Sequence, residues 1–196
     1  MTGDPRGYDS KGNISTDYSD ILNNTTKDNI VYNGPANPTI FGSVMNNFSY
    51  KGFNLSANIT YEAGFYIRVP SISYYDLFGT NMVTSTGDLD YAKRWQKPGD
   101  EAFTNIPSMP TVANNNNDRD NFYRYSSALV AKGDNIRLQD ISLSYDINNV
   151  KVINSIFSSF QIYTYYLSNI RLWRAANYQE QRPAQTISFG IRATIK

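Results

Sequence analysis

The chain contains no cysteine and no histidine. The first absence rules out a disulfide framework, a thiolate nucleophile and a Cys-ligated metal. The second removes the commonest general base and metal ligand, and with it histidine-built zinc sites and Ser-His-Asp triads. An excess of one charge is missing too: 18 Lys and Arg face 17 Asp and Glu, a formal net charge of +1. With no Lys/Arg run either, no nucleic-acid partner is expected. Nowhere do 18 apolar residues run together, which excludes a membrane-spanning helix. Spanning strands survive that test, because their hydrophobicity is hidden in alternation. The opening "MTGDPRGYDS" has neither a basic n-region nor an apolar h-region, so no signal peptide is expected there.

What the chain does have is period two. In "FNLSANITYEAGFYIRV", 53–69, every odd position is apolar, and the even ones are polar or small except Tyr66. Such alternation predicts one long strand with a greasy face and a wet face. The preceding "PTIFGSVMNNFSY" (38–50) places Ile40, Val44, Phe48 and Tyr50 on one side with Gly42 and Asn46. Lys51-Gly52 between the two runs is a tight-hairpin signal. Alternation returns in "DNIRLQDISLSYDI" (134–147), where Ile136 and Leu138 fall out of phase with Ile141, Leu143, Tyr145 and Ile147, predicting a bulge near Gln139. A connector at 148–159 holds Val152, Ile153, Ile156 and Phe157 at helical spacing. "FQIYTYYLSN" (160–169) is apolar on both parities and reads as strand, 170–183 as loop, and "AQTISFGIRATIK" (184–196) as a final alternating strand. Residues 1–37 and 70–133 carry no sustained alternation and read as long loops, with helical turns expected in 15–24, behind a Ser or Thr cap, and in 88–95.

The expected fold is therefore all-β: about five antiparallel strands joined by links that alternate long and short. Outer-membrane barrels have that asymmetry, with short periplasmic turns and long extracellular loops. Counting back from the last strand puts 1–37, 70–133 and 169–183 outside and the Lys51-Gly52 turn and 148–159 inside. The alternative is a soluble carbohydrate-binding β-sandwich, which shows the same alternation with shorter strands and links.

"FSYKGF", "RWQKPGDE" and "GDNIRLQDISLSY", in this order and followed by "RPAQTISFGIRATIK", resemble the C-terminal part of SusC/RagA-type TonB-linked outer-membrane proteins of Bacteroidetes. The resemblance covers nearly the whole chain. It implies the last strands of a large plugged transporter barrel in the cell outer membrane. It also implies uptake of a glycan or peptide cargo, with a SusD-like surface lipoprotein as lid and the TonB complex as the energy source. Residues 1–196 are then expected to be a C-terminal fragment, with the plug and the N-terminal part of the barrel absent. The ending Ile195-Lys196 departs from the terminal aromatic usual in such barrels, which bears on assembly.

Candidate chemistry is sparse, and neither an enzyme activity nor a cofactor is expected. Around Asp9 the calcium-loop pattern fails, with Lys11 at the second ligand position and Ile14 where glycine is needed. Asp118 and Asp120, separated by Arg119, read as a surface loop tip. Asp100 and Glu101 are adjacent in a turn, a poor arrangement for converging on one substrate atom. Tyr91, Arg94, Trp95, Trp173 and Arg174 are the candidate contacts to cargo or lid, since aromatic faces stack on sugars and Arg supplies planar donors. The competing expectation is that "DYAKRWQKPGDE" folds on itself around Trp95. Tyr50, Phe53, Tyr163, Tyr165 and Tyr166 suit an interfacial aromatic girdle.

Overall fold

A computed structural model describes residues 2–78, 88–111, 116–147, 151–176 and 184–196. In chain order the elements are β1 (Gly7–Tyr8), β2 (Ile14–Ser15), α1 (Tyr18–Asn23), β3 (Ile40–Tyr50), β4 (Phe53–Ala63), β5 (Tyr66–Arg68) and α2 (Tyr74–Phe78). There follow α3 (Asp88–Ala92), α4 (Asn117–Tyr125), β6 (Val130–Lys132), β7 (Asn135–Asp146), α5 (Lys151–Ile156), β8 (Phe157–Arg174) and β9 (Thr186–Ile195). The chain divides into two compact units, Met1–Gly34 with Ile67–Ala131 and Pro35–Tyr66 with Lys132–Lys196. No helix among the described residues is long and apolar enough to cross a membrane.

The second unit is one antiparallel sheet in the order β3-β4-β7-β8-β9, with strands of 10 to 18 residues. The sheet is open, and among the described residues nothing pairs with the outer edges of β3 and β9. Lys51 (φ 46°) and Gly52 (φ 89°) form the two-residue turn of the first hairpin, both in the left-handed region that a type I′ turn requires. The pairing of β4 with β7 slips between Asn58 and Ile59, leaving Gln139 unmatched. That bulge brings Ile136 and Leu138 onto the same face as Ile141, Leu143 and Tyr145, as the phase change predicts.

Two expectations about strand length need correction. The run 53–69 is not one strand: β4 stops at Ala63, and Gly64 (φ 76°) turns the chain before β5. There the ladder gives way to side chains. The Gly64 N–H donates to the Asp134 carboxylate at 2.8 Å, the Thr39 hydroxyl donates to the Gly64 carbonyl at 3.3 Å, and Phe65 is buried. Conversely, β8 does not end at 169. A register shift at Ser168–Asn169 lets it continue through Arg174, paired with β7 as far as Asn135. Residues 177–183 of the predicted loop lie outside the described residues.

Most of the predicted loops 1–37 and 70–133 are not loose connections; together they build the first unit. Ile72, Tyr74, Ile106, Tyr123 and Leu129 form its buried core, with Leu77 and Tyr91 packed against it. Helix α1 starts behind Asp17, whose carboxylate accepts from the Asp20 N–H, so the cap is Asp rather than the expected Ser or Thr. Helix α4 starts behind Asn116 in the same way.

The turn geometry makes a specific claim. Gly52→Ala forces a Cβ into a left-handed backbone and lowers stability by roughly 1–2 kcal/mol. Lys51→Gly removes the same strain at its neighbour and does not destabilise. Urea unfolding of the two variants measures both effects.

Candidate functional site

The sheet's two faces differ over most of their area, although Phe41, Met45 and Leu167 fall on the polar side and Asn46 and Thr164 on the apolar side. On one face the register aligns Val44–Ile59–Leu138, Phe48–Leu55–Leu143 and Ile162–Ile191 across neighbouring strands. These side chains are not covered: Phe48 is 65% exposed and Phe189 81%. A groove of about 670 Å³ runs along this face, lined by Phe53, Leu143, Tyr145, Ile162, Phe189 and Ile191. In water each such side chain forgoes roughly 1.5–3 kcal/mol of burial energy, so a face like this marks contact with something apolar.

The opposite face is held by side-chain hydrogen bonds that cross the strands. Ser49 donates to Asn54 at 2.7 Å, Asn54 to Asp146 at 2.9 Å, and Gln161 to Asp146 at 2.8 Å, one rung over four strands. Asn58 donates to Asp140, and Asn135 to Glu62, further along. Tyr163 lies over Gly190, its cross-strand partner, where no Cβ would fit, and Arg192 sits 5.9 Å from the same ring. Tyr163 and Tyr165 are thus on the polar face, opposite Gly190 and Ser188, and do not belong to an aromatic girdle. Tyr50, Phe53 and Tyr166 do sit on the apolar face, and the Phe53 and Tyr145 rings meet at 4.4 Å. Because β8 is apolar on both parities, only pairing could separate its tyrosines.

The candidate contact residues fall into two groups. Tyr91, Arg94 and Trp95 are neighbours in the first unit. The Arg94 guanidinium stacks 4.0 Å from the Tyr91 ring and donates to the Tyr91 carbonyl at 2.9 Å. Trp95 packs against Gly3, and its indole N–H donates to Glu101 at 2.9 Å. That bond is the main cause of a Glu101 carboxyl held below its ordinary range, and the Gly99 N–H adds to it. Asp100 accepts from the Gln96 and Lys97 N–H groups instead. "RWQKPGDE" is thus a turn closed by its own carboxylates, and Trp95 also borders a cleft of about 200 Å³ with Gly3, Asp4, Arg6, Glu101 and Ile106. Trp173 and Arg174 lie in the sheet unit, on opposite faces of β8: Trp173 across from Ile136 on the apolar side, Arg174 across from Asn135 on the polar side.

Asp118, Arg119 and Asp120 are not a loop tip. They belong to α4, and Arg119 is only 1% exposed. Its Nε and Nη2 donate to Asp4, Nη2 also donates to the Ser108 carbonyl at 2.8 Å, and the guanidinium lies 5.7 Å from the Tyr74 ring. Asp120, beside it, accepts from the Tyr75 N–H at 2.6 Å and the Ser73 hydroxyl at 3.2 Å. Burial raises the Asp120 carboxyl above its ordinary value and pushes the Tyr18 phenol up to about 12. The sequence offered one signal, an Arg between carboxylates, but not the burial. Around Asp9 the carboxylate accepts from the Lys11 and Asn13 N–H groups, a turn-closing role. No cluster of metal-ligating side chains occurs among the described residues.

Sequence reasoning also passed over Arg137 and Arg171, which the β7–β8 register places directly opposite one another on the polar face. No protein-family model matches the chain, and no curated protein matches it.

Removing the guanidinium leaves the Asp4 and Asp120 carboxylates without their cation, so Arg119→Leu destabilises the first unit by roughly 3–5 kcal/mol. Denaturant unfolding followed by tryptophan fluorescence checks this. Asp120 adds a pH dependence. A carboxyl whose folded value is raised favours the fold below its ordinary value of 3.8 and loses that contribution as pH rises through the folded value. Asp120→Asn therefore gains stability relative to the wild type as pH rises from the ordinary value of 3.8 through the raised folded one, measurable as a widening difference in unfolding temperature.

Proposed function

We propose that this chain forms part of the wall of an outer-membrane β-barrel, the C-terminal portion of a TonB-dependent transporter of the SusC/RagA type. In this reading the apolar face of the sheet meets lipid acyl chains and the hydrogen-bonded face meets an aqueous lumen. The single observation that supports it is the uncovered, continuous apolar face of a sheet whose strands run 10 to 18 residues. A tilted strand crosses the hydrocarbon in about 9–11 residues. The two open edges fit the same reading, because a spanning sheet must close on further strands to satisfy every backbone group. Tyr91, Arg94 and Trp95 are then the candidate contacts to a glycan or peptide cargo or to a SusD-like lipoprotein. The role is a transport role rather than a catalytic one. A soluble β-sandwich would instead need a second sheet over Phe48, Leu55 and Phe189, which are exposed.

The absence of cysteine makes the test direct. Single cysteines replace Leu55 and Phe189 on the apolar face and Ser56 and Ser188 on the polar face, in membranes of cells producing the chain. Ser56→Cys and Ser188→Cys are expected to react with a hydrophilic maleimide. Leu55→Cys and Phe189→Cys are expected to be shielded from it and, once labelled after extraction and returned to lipid, quenched by nitroxide-bearing acyl chains. A chain recovered folded without detergent, with all four positions equally reactive, sinks the proposal.

A further inference from the structure

We infer that the groove on the apolar face is a site for one anionic phospholipid, with an acyl chain lying across two rungs of the sheet and the phosphate at Lys51. The inference rests on the reading above that this face meets lipid, and it adds which lipid and where. Register fixes the groove. One rung runs Tyr50–Phe53–Tyr145–Ile162–Ile191 over all five strands, and the next runs Phe48–Leu55–Leu143–Thr164–Phe189. Thr164 is the one short polar side chain in these two rungs. It is half-buried between the exposed Leu143 and Phe189, so the surface dips there. At about 670 Å³ the groove matches the size of small-molecule sites, roughly 300–1,000 Å³. A chain lying in it touches side chains on three sides rather than one, and the dispersion contacts add up.

The turn at one end marks the occupant as a phospholipid rather than a hydrocarbon alone. Phe53 and Tyr145, whose rings meet at 4.4 Å, form the end of the groove nearest the Lys51-Gly52 turn. A Cβ on Gly52 would lie 3.2 Å from the Tyr145 ring, so the turn and the groove are in contact. Lys51 is exposed, with its ammonium 5.2 Å from the centre of the Tyr50 ring, and Tyr50 heads the first rung. Asp146, the carboxylate at this end of β7, lies on the other face, where Asn54 and Gln161 hold it. A cation beside an apolar seat is complementary to a phosphate that carries acyl chains, and lysine reaches headgroup level on its own apolar stem.

The test is native mass spectrometry of the full chain released from detergent micelles, with dioleoylphosphatidylglycerol or net-neutral dioleoylphosphatidylcholine added. The wild type retains one phosphatidylglycerol and holds it roughly fivefold more tightly than phosphatidylcholine. Lys51→Asn, which removes the cation and suits the left-handed backbone, abolishes that preference. Thr164→Trp fills the dip and lowers retention of both lipids roughly tenfold or more. Val44→Trp, on the same face but not lining the groove, leaves retention unchanged. A phosphatidylglycerol with a photoreactive acyl chain cross-links to 143–145 and 162–164 in the wild type, a readout that depends on no variant. Equal retention of the two lipids by the wild type, full retention in Thr164→Trp, or cross-links scattered over the apolar face overturns the site, as does a lipid-free dimer of the chain. Shielded Leu55→Cys and Phe189→Cys in membranes, with no lipid retained in micelles, overturns this inference and leaves the barrel reading standing.

Discussion

A β-ladder leaves a strand no choice about where its side chains go. Once the backbone N–H and C=O groups of β4 are paired with β3 on one side and β7 on the other, successive residues must alternate between faces. Because the apolar residues keep one phase, the pairing sorts Leu55, Leu143 and Phe48 onto one surface and Asn54, Ser144 and Ser49 onto the other. Everything distinctive about the sheet follows from that constraint. It is held together by its ladder and by cross-strand contacts rather than by an interior, for Phe65, just beyond β4, is the one buried large apolar side chain of this unit among the described residues. The polar rungs matter for the same reason: Ser49, Asn54, Asp146 and Gln161 link four strands by side-chain hydrogen bonds.

The other unit solves the opposite problem. It has little regular structure and must therefore hold its segments with side chains. Its apolar core is small, and Arg119 supplements it by reaching from α4 to Asp4 and to the Ser108 carbonyl. Tyr74 ties in the 107 region by donating to the Pro107 carbonyl at 2.8 Å, and Arg68 gathers the carbonyls of Arg124 and Ser126. A buried guanidinium is costly to desolvate, and it is tolerable here because its Nε and Nη2 donors meet a carboxylate and a carbonyl, an aromatic ring covers its flank, and Nη1 lies 3.8 Å from Asp120. Such an arrangement specifies one packing of segments that are distant in sequence. That is what a folded element built from connecting chain requires.

The polar face of the sheet joins these themes. Much of it is made of amides and hydroxyls that bond across strands to one another and to the Asp146, Asp140 and Glu62 carboxylates. At the end where β7 and β8 bulge, that pattern gives way to arginine opposite arginine, oriented by a buried asparagine.

Local pattern was enough to locate β3, β4, β7 and β9, the Lys51-Gly52 turn, the slip near Gln139 and the two-faced character of the sheet, because these depend on neighbours one or two residues apart. Period two could not show where β4 stops, since Gly64 is turned by Asp134 and Thr39, 70 and 25 residues away. Nor could it assign the faces of Tyr163 and Tyr165, or extend β8 to Arg174, because a strand apolar on both sides takes its orientation from its partners. The first unit was the least visible. Its core residues are scattered without period, and the burial of Arg119 depends on a contact with Asp4 across 115 residues. Local pattern determined which residues could share a face; long-range pairing decided which ones meet.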